Sequence, residues 1–121
     1  MKNVLYNLGK YLYAIPFAIS GLMHLIKGSE MGGAVPSFIP GGVFWVYLTG
    51  VALLGASISL IINKYTKLSM LLLGIMLLIF VLTIHLPALS NPQMMQMAMA
   101  GLLKDTMLAG AAFMFSARSE N

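Results

Sequence analysis

The amino-acid sequence predicts an all-α integral membrane four-helix bundle, N-in and C-in, with a proline-rich first external loop. Three observations carry this. Of 121 residues, 60% are hydrophobic and 8% charged, and the mean hydropathy is +0.91. That is more apolar surface than a soluble domain of this length hides in one core. The apolar residues fall into four runs, at about 6–26, 43–62, 68–86 and 94–117, each near the roughly 20 residues a helix needs to span a bilayer. The basic residues gather at one side of such a four-span arrangement. No second domain, internal repeat or low-complexity tract is visible, so a single domain over 1–121 is expected.

The first span covers about Tyr6 to Ile26. Lys2 and Ala18-Ile19-Ser20 loosely imitate a signal peptide and its cleavage site. Lys10 and Pro16 interrupt the compact apolar core such a peptide needs, so the segment reads as a retained span. Pro16 is expected to kink it. Tyr13, Phe17, Ser20, His24 and Lys27 recur at helical spacing and share a face that grows more polar toward its C-terminal end. Ser20-Gly21 is small enough for a neighbouring helix to approach closely.

Lys27 to Gly42 is a Gly- and Pro-rich loop carrying Glu30, longer than a plain connector. Within it Pro36 and Pro40 bracket the triplet Ser37-Phe38-Ile39 and push Val35 and Ile39 toward extended geometry. The second span follows, opened by Phe44, Trp45 and Tyr47, aromatic rings suited to the lipid–water boundary. Its Ala52, Gly55 or Ala56, and Ser59 form a small-residue stripe for helix packing. A basic turn, Asn63 to Lys67, leads to the third span, which is apolar until Thr83 and His85 and is expected to end at Pro87. Asn91-Pro92 marks the last turn. In the fourth span Ala98, Gly101, Asp105, Ala109, Ala112 and Ser116 follow helical spacing, which turns Asp105 inward.

Lys2, Lys10, Lys64, Lys67 and Arg118 then lie on one side, which the positive-inside rule makes cytoplasmic. The net charge of +4 is explained by this orientation. No basic patch with interleaved aromatics suggests nucleic acid, and none is expected as a partner. The chain has no Cys and hence no thiol chemistry. At the opposite, outer end, His24, Lys27, His85, Lys104 and Asp105 converge, under a loop lined by Pro36, Pro40, Trp45 and Tyr47. A charge at the centre of a spanning helix costs about 2.5–3.5 kcal/mol on insertion scales, so the cluster marks a candidate polar pocket. Each member also has a structural reading. Either His can be an interfacial hydrogen-bonder, Lys27 and Glu30 solvated loop charges, Lys104 a snorkelling side chain and Asp105 a lock on the fourth span. Met94, Met95, Met97 and Met99 are soft donors, but Met more often fills apolar gaps, and two His residues without a third ligand do not make a zinc site. No metal is expected.

The sequence resembles the DoxX-like membrane proteins. The matching pieces are Gly21-Leu22-Met23-His24, VPSFIPGGVFWVYLTGVAL from Val35 to Leu53, and LLLGIMLLIFVLTIHLP from Leu71 to Pro87. Relatives often carry His where this chain has Gly42, Arg where it has Ala88, and an acidic residue where Val51 to Leu53 are apolar. The resemblance implies a four-helix, multi-pass protein of the cytoplasmic (inner) membrane. Some DoxX-like proteins are subunits linked to quinone oxidoreduction or oxidative-stress complexes, and distant relatives assist assembly of membrane receptors. Two functions are expected on that basis. The first is a quinone-linked redox subunit fed by a membrane or periplasmic redox partner. Here His24 or His85 hydrogen-bonds a quinone-like headgroup, Asp105 helps move a proton and Lys104 offsets negative charge. The second is a non-enzymatic membrane scaffold or assembly factor, with the bilayer, another membrane protein or further copies of the chain as partners. A carrier has less support, since no inverted repeat is present.

Overall fold

The computed structural model of the protein describes residues 2–31 and 40–119. Among them there is no strand. The elements are α1 (Lys2–Ile26), α2 (Gly28–Met31), α3 (Val43–Ile62), α4 (Thr66–Phe80), a π-helical turn (Val81–His85), α5 (Leu86–Ala88) and α6 (Met95–Arg118). Helix α3, the continuous stretch Thr66–Ala88, and α6 are each long and apolar enough to cross a membrane. Helix α1 is longer, at 25 residues, but Lys10, three tyrosines and His24 dilute it, and it falls outside that set. It runs unbroken through Pro16.

The helices pack as two pairs, α1 along α3 and α4 along α6, with a lighter contact between α3 and α4. Glycines set both pairs. A Cβ on Gly21 would lie 2.8 Å from the carbonyl oxygen of Gly50, and one on Gly50 would lie 2.9 Å from that of Gly21. Only a missing side chain on both helices permits this backbone approach. The small-residue stripe of α3 is thus not where the helices come closest: nothing lies within 4 Å of a Cβ on Gly55. In the second pair the Phe113 ring fills the space over Gly74. The small face of α6 is buried at Ala98, Asp105, Ala109, Ala112 and Ser116. Ala109 and Ala112 join Ala14, Leu53, Ala56, Leu60, Met70, Leu73 and Leu77 in one core. Large apolar side chains also cover the outside, among them Val51, Ile58, Leu68, Leu72, Leu103 and Met107, as lipid-facing helices require.

The α3–α4 turn is organised by Ser59. Its carbonyl accepts from the backbone N–H groups of Asn63 and Lys64, and its hydroxyl donates to the Lys64 carbonyl. Asn63 and Tyr65 take left-handed conformations that reverse the chain. The Ser116 hydroxyl donates to the carbonyl of Lys67 (2.6 Å), and the Tyr6 ring meets Phe115 edge-on at 5.8 Å. The start of α1, this turn and the end of α6 therefore share one end of the molecule.

The stretch Thr66–Ala88 ends one residue beyond Pro87, and the helix widens just before the proline. Pro87 has no N–H, and its ring crowds the carbonyl four residues back, at Thr83. The chain answers by widening: the Leu86 N–H reaches the carbonyl of Val81, five residues back, and the helix continues to Ala88. A single π turn of this kind shifts the following side chains around the helix axis and often marks a functional site. Here the displaced residue is His85.

Candidate functional site

A cavity of about 720 Å³ lies between the two helix pairs, toward the end opposite the termini. Its lower part is lined by Leu12, Tyr13, Leu77 and Leu108, its upper part by His24, Thr49, Thr83, His85, Lys104 and Asp105. The lining is mainly apolar with a few polar groups at one end, the usual make-up of a small-molecule site.

Sequence spacing explains the α1 wall. Tyr13, Phe17, Ser20 and His24 all line the cavity. The His24 Nδ1 lies 2.6 Å from the Ser20 carbonyl oxygen. A carbonyl only accepts, so Nδ1 carries the proton, and in the neutral ring Nε2 is a bare acceptor. Facing it across the cavity is His85, turned onto α6. Its Nε2 donates to Asp105 Oδ2 at 2.8 Å. Its ring lies over Gly101, where a Cβ would stand 2.6 Å from Cε1 and 2.7 Å from Nδ1. Gly101 is the seat of this imidazole and Asp105, one turn on, is its anchor. Asp105 is 6% exposed. Lys104 Nζ lies 4.0 Å from the other carboxylate oxygen, with the Lys104 side chain 67% exposed at the rim.

Trp45 stands at the mouth. Its indole N–H donates to the Pro40 carbonyl (2.5 Å), fixing this end of the proline loop to the start of α3. Gly41, at φ 97°, makes the turn that allows this. The floor is closed by Tyr13, whose hydroxyl donates to the Leu108 carbonyl of α6 and whose ring meets Phe115 at 5.2 Å.

Of the expected pocket residues, the structure brings His24, His85, Lys104 and Asp105 to one cavity, with Trp45 beside them. Lys27 is not among the lining residues. Helix α1 ends at Ile26, so the shared face stops one step before it, and Lys27 is exposed. Tyr47 packs over Gly28 of α2 rather than into the cavity. Pro40 contributes its carbonyl to Trp45, and Pro36 lies outside the described residues. The sequence reading did not single out Thr49 or Leu108. Thr49 follows Trp45 by one helical turn, a spacing that could have found it.

A second, more apolar cavity of about 530 Å³ opens between α3 and α4 on their outer face, beside Ala52, Gly55 and Ala56. It shares Trp45, Thr49, Ile79 and Phe80 with the first.

Comparison with known families gives one match: the DoxX family profile aligns with residues 8–86, more than half of the chain. The match covers most of α1, then α2, α3, α4 and the π turn, and leaves α6 with Lys104 and Asp105 outside it. No curated protein and no solved structure matches the chain.

Proposed function

The chain belongs to the DoxX family, and from that premise we propose that it is a quinone-linked redox subunit whose inter-pair cavity receives the headgroup of a lipid-soluble quinone. The carrying observation is the cavity itself. It is about 720 Å³, apolar along most of its length and polar at one end, with His24 opposite the buried His85–Asp105 pair. These residues fit such a group: the apolar walls suit a ring and the start of its tail, and the polar end suits its oxygens. The quinone supplies two-electron, two-proton chemistry when bound. The chain's own residues bind and orient it and exclude water, while a partner protein exchanges the electrons. His24 keeps its Nε2 for a ligand. His85 is a positioning partner, its Nε2 committed to Asp105 and its Nδ1 over Gly101.

Topology is part of this reading. Helix α1 carries an outward apolar face of Leu5, Leu8, Ile15, Ile19 and Ile26. At about 1.5 Å per residue it exceeds the ~30 Å hydrocarbon core, so it is the fourth span of a membrane bundle. With Lys2, Lys64, Lys67 and Arg118 at one end, both termini sit in the cytoplasm, the membrane is the cytoplasmic one, and the cavity opens to the other side.

The test is extraction of quinone from protein purified out of native membranes, followed by mass spectrometry, in the parent chain and in the His24→Ala/His85→Ala double variant. Quinone carried by the parent and lost from the variant supports the assignment. Equal retention by both removes the cavity from it. A scaffold or assembly role is the second reading, favoured by the α3–α4 groove that Gly55 leaves open. A stoichiometric membrane partner recovered without bound quinone would establish it instead.

A further inference from the structure

Count the hydrogens on the polar side chains that line the cavity. The indole N–H of Trp45 goes to the Pro40 carbonyl. The Tyr13 hydroxyl goes to the Leu108 carbonyl, the Thr83 hydroxyl to the Ile79 carbonyl at 2.7 Å, the His24 Nδ1 proton to the Ser20 carbonyl and the His85 Nε2 proton to Asp105. Five donors are thus already given to the protein. Those left are Lys104 at the rim and the rotatable hydroxyls of Ser20 and Thr49, which accept as readily as they donate. In the neutral rings the atoms without a proton to give are in surplus: His24 Nε2, His85 Nδ1 and the hydroxyl oxygens of Tyr13 and Thr83. No side-chain polar atom is buried without a partner among the described residues, so the open valence of His24 faces accessible space.

We infer that the cavity selects a ligand head that donates hydrogen bonds, an apolar phenol or hydroquinone, over the matching ether or quinone, with His24 Nε2 as the main acceptor. The hydroquinone form of this inference rests on the quinone reading above; the phenol form does not. A quinone carries only acceptor oxygens and finds mostly acceptors waiting. A hydroquinone brings two O–H donors, one of them for His24. An unmatched polar contact in a site of low polarity is costly, so the donor-bearing head is expected to bind about tenfold more tightly or better.

The test uses the full chain in nanodiscs, with empty nanodiscs subtracted to remove lipid partitioning. The first probe pair is an alkylphenol fluorinated at its tail and its methyl ether, which differ at the head by the O–H donor. Binding is read by fluorine NMR. The second pair is a short-tailed benzoquinone and its hydroquinone under anaerobic conditions, read through Trp45, the only tryptophan of the chain and one that lines the cavity. The expected result is a roughly tenfold or larger preference for phenol over ether, and for hydroquinone over quinone. The preference should disappear in His24→Phe, which keeps a flat ring and loses the acceptor. Equal affinity within the phenol pair, or tighter binding of the ether, overturns the inference. Equal binding of hydroquinone and quinone overturns its redox form while leaving the quinone reading standing. Phenol preference with no binding of either quinone form does the reverse. A preference that survives in a folded His24→Phe protein removes His24 as the acceptor. Should that variant not fold, the phenol–ether comparison on the parent chain decides.

Discussion

The seat of His85 gives the most direct test of the site's construction. In Gly101→Ala, the new Cβ would stand 2.6 Å from Cε1 and 2.7 Å from Nδ1 of the imidazole, about 0.8 Å inside ordinary van der Waals contact. A helix cannot easily move away, so the ring must. Its Nε2–Asp105 bond is 2.8 Å long, and a displacement of that size takes it past the ~3.2 Å limit of a sound hydrogen bond. Asp105 is then left buried without its partner, which costs about 1–3 kcal/mol. Gly110→Ala is the control. It lies in the same helix, nothing stands within 4 Å of its Cβ, and both variants share the same intrinsic helix gain of about 1 kcal/mol. That gain cancels in the comparison. Gly101→Ala should therefore be about 1–3 kcal/mol less stable than Gly110→Ala, measured by denaturant unfolding in detergent and followed by helical circular dichroism. Nitrogen NMR of His85 should show a changed environment only in the first variant. Equal stability of the two would refute the claim that Gly101 exists to seat the imidazole.

Three further outcomes are expected. Gly21→Ala would place a Cβ 2.8 Å from the Gly50 carbonyl oxygen and 3.0 Å from the Leu54 nitrogen. Backbone cannot swing aside, so α1 should separate from α3, seen as faster hydrogen exchange in both helices, with α4 and α6 unchanged. Tyr13→Phe removes the hydroxyl linking α1 to the Leu108 carbonyl and should cost about 0.5–1.5 kcal/mol of unfolding free energy; no change would show that the aromatic contacts alone hold the floor. Because the chain has no Cys, Lys64→Cys and Ser90→Cys give clean labelling sites. An impermeant thiol reagent added outside intact cells should label the second and spare the first, and the opposite pattern would invert the proposed topology.

Much of the frame was legible in the sequence because lipid imposes simple rules. The span 43–62 and the start and end of α6 to within a residue follow from apolar run length, and the buried face of α6 follows from helical period alone, since Ala98, Asp105, Ala109, Ala112 and Ser116 repeat in step. The same arithmetic placed Tyr13, Phe17, Ser20 and His24 on one wall, then overran at Lys27, because periodicity does not report where a helix stops. The π turn was not legible. Pro87 reads as a terminator and is one to within a residue, but whether the helix widens before it depends on what holds the neighbouring side chains. Here the next helix does so through Asp105 and Gly101. The close approach at Gly21 and Gly50 was half visible: the first glycine stood out, while on α3 the longer run of small residues from Ala52 to Ser59 drew attention from Gly50. A small residue permits contact, and only the partner's geometry decides whether it is used.

These contacts also explain why a cavity forms where it does. Each helix pair is drawn together by glycine, Gly21 with Gly50 in one and Gly74 with Phe113 in the other. Between the pairs the described contacts are lateral and concentrated near the termini, where Tyr6 and Tyr13 meet Phe115 and Tyr13 reaches Leu108. Two tight pairs joined at one end must leave space at the other, since helices locked by their partners cannot rotate to fill it. Polar residues tolerated at that open end need internal partners. The π turn supplies one by rotating His85 onto α6, where its Nε2 satisfies Asp105. His24 has no counterpart: one nitrogen is tied to its own helix and the other is left over. The same packing that opens the cavity therefore leaves unspent acceptors on its wall, His24 Nε2 among them, and that surplus is what the ligand comparison reads.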